Sequence, residues 1–238
     1  NEFEYGIDIS TKARAGSLYF SRLSNEQFRY TSSEDLLSTE KGKKALRDMI
    51  EAFFDIQRKR LDVLESYAQG DNYSILSGSR RLDKEKADYR VRHKWGGYIS
   101  SFATSYVIGN PVTIGILEGA NKEQLKTIEE IEWQNDINAL NSDLAFDASV
   151  YGRAFEYHFR DKDSIDRVVL ISPLEMFVIR DLTVEQNIIA AVHLPIYVDK
   201  VNMAVYTKDK MISYKPFSIK SIRLSVEDTR KHEYNDVP

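Results

Sequence analysis

The chain has no cysteine among its 238 residues. Disulfides, thiolate nucleophiles and cysteine-ligated metals are thereby excluded, and the composition fits a reducing compartment. Long apolar runs are missing as well. The longest, Ile188 to Ile196, carries His193 and Pro195 and falls far short of a bilayer-spanning length. There is no surplus of positive charge: 33 Lys and Arg stand against 37 Asp and Glu, a net charge of -4. This argues against a protein whose whole surface grips nucleic acid, while leaving room for a local basic stripe. Asn1-Glu2-Phe3-Glu4 lacks the basic start and apolar run of a secretory signal. The missing initiator Met points to a chain that begins inside a longer gene product.

Recognisable catalytic patterns are scarce too. His93, His158, His193 and His232 lie far apart, with no paired-ligand spacing. Asp161, Asp163 and Asp166 are spaced like the start of a calcium loop. However, its sixth position is Asp166 instead of glycine and its twelfth is Ser172 instead of glutamate, which favours a plain turn. Gly96-Gly97 lacks the Lys-Ser/Thr of a phosphate-binding loop, and no G-x-S-x-G elbow is present. The expectation is a non-enzyme with no cofactor and no metal.

What is present is 42% hydrophobic and 29% charged, enough for one large globular domain or two modest ones. Residues 1–40 read as an irregular arm, with capping potential at Thr31-Ser32-Ser33-Glu34-Asp35 and a short strand at Ser17–Phe20. From Gly42 to Gly70 an apolar stripe through Leu46, Ile50, Phe53, Phe54, Leu61, Leu64 and Ala68 predicts a core-facing helix, ended by a turn at Gly70-Asp71-Asn72. Residues 79–94 are lopsidedly basic. Either they form a solvated helix face, or Arg80, Arg81, Lys84, Arg90, Arg92 and Lys94 (with Lys86 beside them) meet DNA phosphates, which requires clustered positive charge alone. At Gly96-Gly97 either the helix breaks or a second element approaches too closely for side chains.

The pivotal stretch is Ile99 to Ile114. Val91, Trp95, Ile99, Phe102 and Tyr106 recur at helical spacing and predict a buried helix. Gly109 fits a left-handed helix end, Pro111 prevents continuation, and Val112, Thr113 and Ile114 open a strand, making Gly109, Asn110 and Pro111 a structural hinge. Helices follow over 121–134, an acidic one with Glu123, Glu129, Glu130 and Glu132, and over 136–150. After Gly152 the period changes to that of strands. These are Ala154–Phe159, Arg167–Ile171, Glu175–Arg180, Ile188–His193, Met203–Thr207, Met211–Tyr214 and Ser221–Val226. The expected fold class is α+β: helices over 41–151 packed against an antiparallel meander or small curled barrel over 152–238.

Tyr106-Val107-Ile108-Gly109-Asn110-Pro111-Val112 resembles a signature of the portal proteins of long-tailed bacteriophages of Gram-positive hosts. Tyr73-Ser74-Ile75-Leu76, Tyr151-Gly152-Arg153-Ala154-Phe155-Glu156-Tyr157 and Ser172–Ile179 resemble other segments of that family, in the same order. The resemblance spans roughly Glu40 to Pro238. It implies the wing region of a portal, with the stem, clip and crown that normally follow a segment like Asn235–Pro238 absent from the chain. It also implies a dodecameric ring at one capsid vertex that passes double-stranded DNA, nucleates head assembly and joins head to tail. The implied partners are the major capsid protein, scaffolding protein, terminase and head-completion proteins. The implied location is the virion, and the host cytoplasm during assembly, with no membrane. A free-standing α+β protein-binding module, or an enzyme built from scattered carboxylates and tyrosines, are the alternatives that the residues themselves leave open.

Overall fold

A computed structural model describes residues 27–71, 89–116 and 122–231. The fold is α+β, and the chain divides into two compact units, residues 1–61 with 174–238 and residues 62–173.

The first unit is a sheet with helices. Its strands are β1 (Phe28–Arg29), β4 (Met176–Arg180), β5 (Ile188–His193), β6 (Ile196–Tyr197), β7 (Lys200–Tyr206), β8 (Lys210–Phe217) and β9 (Val226–Lys231). They lie in the order β1-β4-β5-β7-β8-β9, with β6 paired to β7. The β1–β4 pair is parallel, Phe28 opposite Ile179, and the other pairs are antiparallel. The sheet is open, with β1 and β9 at its ends, so no barrel closes. In β7, Val201, Met203 and Val205 are buried while the residues between them are less so, the alternation that a half-covered strand requires.

Ser32 caps α1 (Ser33–Ser38) by accepting from the Asp35 amide at 3.2 Å, and Thr39 caps α2 (Glu40–Ala52) through the Gly42 amide at 2.9 Å. The helix expected over 42–70 is present but not uniform. A π turn, Phe53–Gln57, separates α2 from α3 (Arg58–Gln69). Each extra residue in a turn shifts the helix phase by about 100°. Here Phe53, Phe54 and Gln57 all end up buried. Phe53 reaches the Phe177 ring at 5.1 Å, and Phe28 meets the same ring edge-on at 4.8 Å, which ties helix, β4 and β1 into one core.

The second unit contains most of α3 together with α4 (Trp95–Ile108), α5 (Lys122–Asn135), α6 (Ile137–Tyr151) and the hairpin β2 (Phe155–Arg160) with β3 (Asp166–Ile171). α3 ends as expected. Gly70 takes φ 79°, its amide donates to the Tyr67 carbonyl at 3.2 Å, and the Asp71 amide donates to the Ser66 carbonyl at 2.8 Å. Asn135 joins α5 to β3: its Nδ2 donates to the Asp166 carbonyl at 2.9 Å and its Oδ1 accepts from the Val168 amide at 3.0 Å. The side-chain amide thus stands in for a missing backbone partner. In the hairpin turn the Asp161 carboxylate accepts from the Asp163 and Ile165 amides, each at 2.9 Å, and from Arg167 Nε at 2.9 Å.

Several expectations are corrected. The arm over 1–40, read as irregular, carries β1 and α1 among its described residues. Residues 89–94 are irregular rather than helical. Residues 111–116 form no strand, so Val112, Thr113 and Ile114 leave the helix without entering the sheet. The last strand is Val226–Lys231 rather than Ser221–Val226, and Ser221 makes only an isolated bridge to Ser218. The helix over 95–108 is not buried, as described below. The segments Ser17–Phe20 and Tyr73–Leu76 lie outside the described residues.

Candidate nucleic-acid interface

Of the basic residues singled out by sequence, Arg80, Arg81 and Lys84, with Lys86, lie outside the described residues. Arg90, Arg92 and Lys94 lie in the irregular stretch that leads into α4. Arg92 Nη1 sits 3.4 Å from Asp71 Oδ1, and Lys94 Nζ donates to Gln69 Oε1 at 3.4 Å. Both cations therefore lie at the carboxyl end of α3, where the helix dipole favours positive charge. Both contacts are long and exposed, so each contributes at most about 1 kcal/mol.

Gly96 and Gly97 explain how this stretch closes against α3. A Cβ at Gly97 would collide with the Ala68 carbonyl oxygen, and one at Gly96 would lie 3.0 Å from that of Tyr67. The helix does not break there; α4 runs through both glycines, and a second element approaches too closely for side chains.

α4 stops at Ile108, where the sequence places its end, but for a different reason. Gly109 has φ -67°, an ordinary right-handed value, so no left-handed cap forms. Glycine is required there because a Cβ would run into the Ser105 carbonyl oxygen. Asn110 and Pro111 follow in irregular chain.

The packed side of α4 is made of small residues. Gly97 and Ser100 are buried and Ala103, Thr104 and Ile108 half-buried, a helical repeat directed at α6. Ser149 of α6 donates its hydroxyl to Ser100 Oγ at 3.1 Å. The large residues, Trp95, Tyr98, Ile99, Phe102, Tyr106 and Val107, are all exposed. This reverses the expected orientation: the helical stripe exists, but the described residues of its own unit leave it uncovered.

Two neighbouring titratable groups escaped the sequence reading. Tyr151, at the end of α6, is buried, and its phenol is pushed up to about 12, first by burial and then by the carboxylates of Glu65, Asp147 and Asp62. Asp147 is itself raised by burial and by Asp143 and Glu65. The spacing of Asp143, Asp147 and Tyr151, one helical turn apart each time, is the signal that would have found them. Among the described residues no group of three or more His, Asp or Glu is arranged to hold a metal ion, and no helix is long and apolar enough to cross a membrane.

Comparison with known proteins identifies the family. The model for phage portal proteins, SPP1 Gp6-like, matches residues 48–238, and the chain belongs to that family. Proteins of this class are structural components of the phage capsid that assemble as oligomers with other capsid components. No curated protein matches the chain.

Proposed function

We propose that the chain is the wing region of a portal ring, dodecameric in the complete protein, set at the single capsid vertex through which double-stranded DNA is packaged and ejected. The observation that carries this reading is the family match, which runs from within α2 through β9 and takes in every strand but β1. On this reading the ring is a passive conduit and gasket. It nucleates head assembly with the scaffolding and major capsid proteins, docks the terminase during filling, and receives head-completion proteins afterwards. Arg80, Arg81, Lys84, Arg90, Arg92 and Lys94 would then meet DNA phosphates without reading sequence. The long, exposed pairing of Arg92 with Asp71 supports this, because exchanging that carboxylate for a phosphate costs little. Electron microscopy of the complete gene product tests the proposal. Rings with a central hole are expected, and particles without one would overturn it.

A further inference from the structure

A helix without a single charged residue is ordinarily buried, and α4 is not. It uses Gly97, Ser100 and Thr104 against its own chain and turns its bulky side chains outward. Trp95 is 62% exposed, Tyr98 64%, Phe102 67% and Tyr106 85%, with Ile99 and Val107 alongside. No charged residue occurs anywhere in 95–116. A surface rich in Trp, Tyr and Phe and free of charge has the composition of an interface core rather than of a solvated face. Its area fits as well. Aromatic side chains bury about 150–250 Å² each when covered, so Trp95, Tyr98, Phe102 and Tyr106 at their observed exposure offer about 400–700 Å², to which Ile99 adds. One partner of a standard stable interface contributes about 800 Å².

The unit that carries α4 has little else to hold it. Its described residues include only four buried apolar side chains, Ala68, Tyr151, Val168 and Ile171. The same unit exposes further apolar side chains, Ile128 and Trp133 on α5 and Phe159 and Val169 on the hairpin. A head-to-tail contact between identical chains needs two different complementary patches on each copy, and this unit carries more than one.

We infer that the outward row of α4, Trp95, Tyr98, Ile99, Phe102 and Tyr106, is the face on which a second copy of this chain packs. The inference deepens the ring reading by naming a face for the contact between neighbours. Absence of native cysteine makes the test direct. A Tyr106→Cys chain carrying a thiol-linked photocrosslinker is prepared as an equal mixture of light and heavy isotope forms and irradiated. Crosslinked peptides that pair light with heavy chains are expected, together with at least a tenfold weakening of self-association in Phe102→Asp while the circular dichroism stays that of the unaltered chain. Crosslinks confined to one copy, for instance to residues 1–26 or 72–88, would assign the face to the chain's own segments and overturn the inference. So would self-association in Phe102→Asp equal to that of the unaltered chain. Electron microscopy of the same samples separates the two claims. Rings that persist in Phe102→Asp sink the α4 assignment and leave the portal reading standing. Paired light–heavy crosslinks without rings do the reverse.

Discussion

A methyl group added at Gly97 would run into the Ala68 carbonyl oxygen, which belongs to rigid helix backbone and has nowhere to retreat. Alanine is the better helix former by about 1 kcal/mol. Overpacking nevertheless costs about 1–3 kcal/mol, so Gly97→Ala is expected to destabilise. Urea denaturation measures it, and the contrast is Gly115→Ala, where nothing lies within 4 Å of the added atom. Tyr151 supplies a pH test. Its phenol keeps its proton up to about 12 in the folded chain and loses it from an ordinary 10.0 when unfolded. The stability it contributes is therefore complete below pH 10 and is lost as pH rises from there through about 12. Ultraviolet titration should show an absorbance step near pH 12 that disappears in Tyr151→Phe. At this scale the sequence showed which residues matter without always showing why. Gly109 marked the helix end, but whether a glycine answers a positive φ or a close carbonyl depends on where Ser105 lies, and composition does not encode that.

Elements whose environment is simple were legible. Strand β5 runs over Ile188–His193 as read, because a short, continuous apolar run with β-branched residues marks a strand. β9 was misplaced because Val226–Lys231 is exposed at every position and carries no such signal, whereas the alternating residues just before it drew the assignment. The two-residue β1 depends on a partner distant in sequence, Ile179, and no local pattern announces it. For α4 the period was read correctly and the burial was not, since a hydrophobic stripe shows that a face must be covered but not by which chain. Asn135 is the element-scale test. Asn135→Ala removes both hydrogen bonds to β3 and leaves the Asp166 carbonyl and Val168 amide unanswered, at a cost of about 1–3 kcal/mol. Hydrogen exchange should show the Val168 amide losing protection ahead of the amides of β7.

For the whole molecule, family membership was readable from four short segments in order, and the match over residues 48–238 bears it out. The candidate site was less legible, since Arg90, Arg92 and Lys94 lie in irregular chain and not on the helix face their spacing allowed. On the proposed reading, reversing charge at Arg80, Arg81, Arg90 and Arg92 leaves ring assembly intact and shortens the packaged genome. It also flattens the salt dependence of DNA binding by about 0.9 in log–log slope for each phosphate contact removed. Unchanged packaging and an unchanged slope would reject these residues as DNA contacts.

The parallel pairing of β1 with β4 has a consequence for synthesis. Phe28 leaves the ribosome some 150 residues before Ile179, a delay of roughly 8–30 s at ordinary translation speeds. All of residues 62–173 emerge in that interval. The inserted unit is therefore complete before the unit around it can close, and the opening segment waits, strand edge unpaired, for a partner not yet translated.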